Sequence, residues 1–263
     1  MASLAFALAA GTAAAESPHP CLRGTPEIHV VQSVSTGGDV IAENGTVLRV
    51  IGAASPDAGT YLKLLRDHLS GESVAVYGFG TDRYQRQMAH ILLNAREEAP
   101  DGAPLWLQEL LIEDGHTIVH HQPEAGACAQ HLLSKERTAR AERKGLWARP
   151  RHHILDANDS EEAERAIGAY RILEGEVLRV ATVGGTTYLN FESDWRSDMT
   201  LAANARAVRR FTAKGIDLHA LEKKRIRMRG FLIYRNGPMI ELAYPEQLEF
   251  PVADPVREAE KTD

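Results

Sequence analysis

Two cysteines, two histidine pairs and two basic runs are the residues whose types could do chemistry in this chain before any fold is considered. Cys21 and Cys128 are the only cysteines, and a disulfide between them would close a long loop and contribute about 4–5 kcal/mol in the chain-entropy view. Two unpaired buried thiols are the alternative. Cys128 with His131 could act as a nucleophile pair only with an orienting acid, and none is legible. The pairs His120-His121 and His152-His153 could hold zinc only with ligands from distant segments, since adjacent strand residues face opposite ways. Lys135, Arg137, Arg140, Arg143, Lys144, Arg149 and Arg151 form one basic run. Arg206, Arg209, Arg210, Lys214, Lys223, Lys224, Arg225, Arg227 and Arg229 form the other. These are the candidate polyanion faces, with solvated helix and strand surfaces as the commoner explanation of such runs. The net charge of −6, from 36 acidic and 30 basic residues, argues against a general nucleic-acid coat, whose affinity comes from Lys and Arg displacing counterions. No phosphate-cradling glycine loop, dinucleotide fingerprint or serine-histidine-acid arrangement is present.

The elements that must carry these residues follow from periodicity. Glu27–Val34, Thr46–Gly52, Ser73–Phe79, Met88–Leu93 and His116–His121 are rich in β-branched and aliphatic residues between turn formers, the pattern of short strands. Helices are predicted over Tyr61–Leu69, Leu105–Glu113 and Ala129–Arg143, the last two stopped by Gly115 and Gly145. Residues 1–15 have the apolar core and small-residue end of a signal peptide, although Met1-Ala2-Ser3 carries no basic residue. Residues 16–148 read as a small barrel with flanking helices, and 149–165 as a linker entering a short helix. Residues 166–252 read as a second, small antiparallel and possibly OB-like β domain, with strands at Arg171–Val183, Thr187–Phe191, Met199–Ala202, Arg225–Tyr234 and Met239–Ala243 and a helix at Ala205–Ala213. Residues 253–263 read as a disordered tail. Tyr188 and Phe191, with Trp195 nearby, could stack bases beside the basic run, though core packing is the commoner use of such aromatics. The fold class is mainly β with α, and outside the N-terminus no apolar run reaches the length of a membrane span.

The run Asn44-Gly45-Thr46-Val47-Leu48-Arg49-Val50-Ile51-Gly52-Ala53-Ala54-Ser55-Pro56-Asp57, followed by Asp82-Arg83-Tyr84-Gln85-Arg86, resembles the thermonuclease (staphylococcal-nuclease-like) family. Trp106-Leu107-Gln108, Leu132-Leu133, Glu136, Ala139 and Gly145-Leu146-Trp147 extend the resemblance over the first half of the chain. It implies an OB-fold barrel across residues of about 27–148. It also implies a site in which two arginines hold phosphate, a glutamate assists water and aspartates hold calcium. Arg49 and Arg86 stand at the arginine positions and Asp57 at that of the glutamate, one methylene shorter. Ala54 and Thr36-Gly37-Gly38 stand where the family has metal-binding aspartates, so the calcium site is expected to be degenerate. Asp39 follows immediately and would point to the other face of its strand unless a bulge re-aims it. Gln85 replaces the family's turn glycine.

The signal-like N-terminus points to an exported, periplasmic or secreted protein, and the resemblance to one that binds nucleic acid or another anionic ligand through Arg49 and Arg86, with no cofactor expected. Pairing of those arginines with Asp57 or Asp82 as a purely structural arrangement is the competing use. An active calcium-dependent nuclease, with Arg49, Asp57 and Arg86 as its catalytic residues and Asp39 as a possible calcium ligand, is one alternative function. An envelope scaffold that docks a protein partner on its C-terminal domain is another.

Overall fold

The computed structural model describes residues 19–93, 104–121, 126–148, 154–194 and 197–251. Five strands close into a barrel: β1 (Glu27–Val34), β2 (Asp39–Ala42), β3 (Val47–Val50), β5 (Ser73–Thr81) and β6 (Gln87–Leu93). Neighbours pair antiparallel, and the parallel pair β3–β6, with Leu48 opposite Gln87 and Val50 opposite Ala89, makes the closure. Strict alternation drives this. In β2 and β3, Val40, Ala42, Leu48 and Val50 turn inward, and Asp39, Ile41, Val47 and Arg49 turn out. Val40, Leu48 and Val50 pack with Val74, Val76 and Ile91, and α1 (Ala58–Leu69) lays Leu65 and Leu69 over them. The expected strand Thr46–Gly52 breaks after Val50. The chain turns at Gly52, which has φ of +87°, into β4 (Gly52–Ala54), and β4 pairs with β8 (Ile118–His120).

A short strand β7 (Leu105–Trp106) leads into α2 (Leu107–Glu113), and α3 (Gly126–Ala141) packs on α2. Gln108, fully buried on α2, accepts from the Ile91 amide and donates to the carbonyls of Ile51 and Ala89, so one amide satisfies backbone groups at the end of the barrel. Gly115 and Gly145 meet back to back. A Cβ on Gly115 would stand 2.3 Å from the Lys144 carbonyl oxygen, and one on Gly145 would stand 2.5 Å from that of Gly115. Cys21 and Cys128 are disulfide-bonded, with Cα atoms 5.1 Å apart, which ties the N-terminal segment to α3.

The C-terminal half forms two sheets over one core. The first runs β17 (Leu248–Glu249), β14 (Arg225–Phe231), β10 (Tyr170–Glu176), β9 (Ile154–Asp156). The second runs β11 (Arg179–Val183), β12 (Thr186–Asn190), β13 (Thr200–Asn204), β16 (Pro238–Leu242), β15 (Ile233–Tyr234). Leu173, Ile226 and Met228 of the first sheet meet Leu189, Leu201 and Ile240 of the second, joined by Phe211 of α5 (Ala205–Ala213). Two expectations need correction. Pairing is mixed rather than wholly antiparallel, because β9–β10 and β13–β16 run parallel. The segment 149–165 is more than a linker: its Ile154 and Leu155 are apolar enough to extend the sheet as β9, and the expected short helix follows as α4 (Ser160–Glu164), capped by Asp159. The signal-peptide segment, the tail after residue 252, Trp195 and His152-His153 lie outside the described residues. No helix among the described residues is long and apolar enough to cross a membrane.

The two halves meet at a buried charge. Arg229 on β14, 1% exposed, donates to both oxygens of Glu136 on α3 at 2.9 and 3.0 Å, to the Val119 carbonyl of β8 at 3.0 Å and to Glu249 of β17. Glu136 also accepts from the Val119 amide at 2.6 Å, and Arg140 reaches Glu249 at 2.5 Å. Removing one member of such a network leaves an uncompensated charge away from water. Arg229→Met is therefore expected to destabilise the fold by about 3–5 kcal/mol in chemical denaturation. Burial works against ionisation of Glu249, but Arg229, Arg140 and Arg227 outweigh it and hold the carboxyl at about 2, below its ordinary 4.5. A depressed folded-state value stabilises above the unfolded value and is lost as pH falls through the folded one. Stability should decline between about pH 4.5 and 2, and that decline should be shallower in Glu249→Gln when melting is followed against pH.

Candidate functional site

The outer rim of the barrel at β2 and β3 gathers the charged residues that the sequence singled out. Ser35 sets up the entry to β2: its hydroxyl accepts from the amides of Gly37 and Asp39, and its own amide donates to the Asp39 carbonyl. Gly38 completes this turn with φ of +82°, a conformation that favours glycine, and packs within ordinary contact distance of Leu62 and Tyr61 of α1. The turn delivers Asp39 directly opposite Arg49 in the β2–β3 register, on the same outward face. The expectation that Asp39 points away is thereby overturned. Val40 is the inward residue of β2, so its neighbour Asp39 must face out with Arg49, and the sequence reading was one residue out of step.

Asp39 joins the two arginines. Its Oδ1 accepts from Arg49 Nη1 at 3.0 Å and from Arg86 Nη1 at 3.0 Å, and its Oδ2 accepts from Arg86 Nη1 at 3.1 Å. Arg86 is further clamped by Asp82, whose Oδ2 accepts from Nε at 2.8 Å and Nη2 at 2.6 Å. The other Asp82 oxygen accepts from the amides of Tyr84 and Arg86, so the Asp82–Arg86 turn is built on one carboxylate. Hydrogen bonding to Arg86 holds the Asp82 carboxyl below its ordinary value. Gln85 takes φ of +63° in this turn and does the work of the expected glycine, so the loop keeps its shape at a strain cost. The Tyr84 ring lies 4.7 and 5.1 Å from the guanidinium carbons of Arg83 and Arg86.

Arg49 is the less committed of the pair. Its Nη1 donates to Asp39 and to the Gly37 carbonyl at 3.0 Å, and among the described residues its Nε and Nη2 make no hydrogen bond. Its side chain is 40% exposed, against 22% for Arg86. Two groups lie in the field of this guanidinium that the sequence did not place beside it. Burial raises the Tyr61 hydroxyl to about 12, with Arg49 opposing. Burial, then Arg49 and His121, lower His120 to about 4, so this imidazole is neutral at pH 7. Neither Tyr61 nor His120 carries a motif signal, because α1 and β8 reach Arg49 only through the fold.

Asp57 is used otherwise. It is the N-cap of α1, accepting from Thr60 Oγ1 at 2.7 Å and the Thr60 amide at 3.1 Å, and these bonds lower its carboxyl below the ordinary value. The residues do not fit the calcium site that the resemblance implies. Asp39 already accepts from two guanidinium groups, Ala54 has no side-chain oxygen, and no second carboxylate joins Asp39 and Asp82 there among the described residues.

Part of each basic run is spent within the protein, while Arg137, Arg143, Arg206, Arg209, Lys214, Lys223 and Lys224 are exposed. Arg225 and Arg227 bind Glu174, Arg140 and Arg229 share Glu249, and Lys135 binds Glu109 and Glu113. Arg210 donates to the Ala243 carbonyl and lies over the Tyr244 ring. Phe191 and Leu189 belong to the core, and Asp198 accepts from the amides of Phe191 and Glu192, fixing that loop. His120 packs 4.3 Å from Tyr170 and His121 packs 4.9 Å from Tyr244, along a pocket of about 220 Å³ between β8 and the C-terminal half. The two rings share no ligand geometry.

Residues 59–149 match the family model described as staphylococcal nuclease homologue. This is less than half of the 263 residues, and the match begins after Asp39, Arg49 and Asp57 while including Arg86. No curated protein matches the chain. Replacing Gln85 with glycine is expected to relieve the left-handed strain, raising stability by up to about 1 kcal/mol in urea denaturation while Arg86 stays clamped by Asp82.

Proposed function

We propose that the chain binds single-stranded nucleic acid at the barrel rim through Arg49, and that it does so without calcium-dependent hydrolysis. The observation that carries this reading is the asymmetry of the arginine pair. Arg86 is saturated by Asp39 and Asp82, whereas the Nε and Nη2 donors of Arg49 point to no protein acceptor among the described residues. A guanidinium edge with spare donors suits a phosphate oxygen pair. The staphylococcal nuclease homologue match supports a nucleic-acid ligand as the class. The carboxylates weigh against catalysis: Asp57 caps a helix, and Asp39 and Asp82 neutralise the arginines. Such a site carries little net charge, so binding should be modest and should involve few phosphates. The disulfide is consistent with an exported protein working in an oxidising compartment.

The test is anisotropy of a labelled single-stranded oligonucleotide across a salt series, with calcium and with chelator. Arg49→Ala is expected to weaken binding about tenfold or more and to lower the salt slope by about 0.7, one phosphate contact on a single strand. Unchanged affinity in Arg49→Ala would refute the assignment of this residue. Calcium-dependent cleavage lost in Asp39→Asn would refute the binding-only reading.

A further inference from the structure

Away from the barrel rim, three side chains from three separate segments converge beside the disulfide. His19 Nε2 and His131 Nε2 each lie 3.1 Å from the same oxygen of Glu109, Oε2. The candidate ligand atoms of these residues all fall within 4.8 Å of one another, the one such histidine and carboxylate group among the described residues. Around a four-coordinate zinc ion, with bonds of about 2.0–2.2 Å, neighbouring ligand atoms stand roughly 3.3 Å apart. The observed 3.1 Å separations are within a few tenths of an ångström of that. His131 Nε2 is shut off from solvent and faces Glu109 Oε2.

The surroundings suit ligation. The Trp106 ring stands 4.7 Å from that of His19 and 5.6 Å from that of His131, stacked on the latter, and it orients both imidazoles. Lys135 Nζ holds the other Glu109 oxygen, Oε1, at 2.6 Å, which leaves Oε2 turned to the histidines. Ligating carboxylates are commonly hydrogen-bonded in this way. Glu113, 3.5 Å from Lys135, returns the local charge to net negative. The disulfide supplies the geometry. His19 is two residues before Cys21 and His131 is one helical turn after Cys128 on α3, so the bond that joins the cysteines also brings the two rings together.

We propose that His19, Glu109 and His131 form a three-ligand site for a divalent transition metal of the zinc class, assembled by the Cys21–Cys128 disulfide. Two imidazole nitrogens and one carboxylate oxygen favour zinc over calcium or magnesium, which prefer all-oxygen shells. Three protein ligands leave a fourth position for water. The site uses none of the barrel-rim residues, so it stands or falls apart from nucleic-acid binding.

The experiment is titration of the untagged, oxidised full chain with Zn(II) in competition with a chromophoric chelator, alongside Glu109→Gln, His131→Ala and the control His116→Ala. One Zn(II) per chain is expected, with affinity at least about tenfold weaker in the first two variants and unchanged in the control. Reduction of the disulfide by a phosphine should weaken it similarly. No zinc bound at stoichiometry, or affinity unaffected by both ligand variants, would overturn the proposal. Should either variant lose its fold by circular dichroism, the Co(II)-loaded parent chain decides: intense visible absorption of a four-coordinate ion supports the site, and the weak bands of a six-coordinate ion overturn it.

Discussion

A guanidinium shielded from water must find oxygen acceptors on every side, and Arg229 finds them in both halves of the molecule. Glu136 and the Val119 carbonyl come from the N-terminal half, Glu249 from the far edge of the C-terminal sheet. Ion pairs of this kind add little net stability over an apolar contact, but they are intolerant of being half made. They therefore fix which surfaces meet. Glu136 also receives the Val119 amide of β8, and β8 pairs with β4, the continuation of β3 that carries Arg49. The interface charge and the rim of the barrel are thus connected through one short strand pair.

The same economy of charge takes up part of both basic runs inside the protein. Carboxylates at Glu174, Glu136, Glu249 and Glu109 take up arginines and lysines that a linear reading assigns to an external polyanion. At the rim, Asp39 and Asp82 do likewise with Arg86 and half of Arg49. What distinguishes Arg49 from Arg86 is that its donor count exceeds its acceptor supply, and the proposed recognition rests on that surplus.

The sequence made the elements legible where one face is consistently apolar. Glu27–Val34 and Ala205–Ala213 were readable to the residue as strand and helix. Signals failed where pairing rather than pattern decides. β2 is four residues long and follows a glycine turn, so its register is set by Ser35 and by the partner strand β3, and Asp39 was placed on the wrong face. β9 owes its existence to β10 and was hidden among polar residues. The break between Glu176 and Arg179, which divides one apolar run into strands of two different sheets, has no local composition signal. The site residues fared similarly: the types at Arg49, Asp57 and Arg86 were legible, but that Asp57 caps a helix and that Asp82 clamps Arg86 are facts of side-chain direction. His19, Glu109 and His131, spread over separate segments, share no spacing that periodicity could detect.

The placement of Arg229 also has a bearing on the order in which the chain can acquire its structure. Glu136 precedes its guanidinium partner by 93 residues, and Glu249 lies a further 20 residues on. During synthesis from the N-terminus, the barrel and α3 emerge well before the arginine that pairs with both oxygens of Glu136. Until then Glu136 has Arg140, one turn along α3 and 3.4 Å away, as its cation, and the place of the Arg229 guanidinium between α3 and β8 is left to water. The first half can collapse early, but its last crevice closes only when the second half arrives, so maturation is paced by the C-terminal strands.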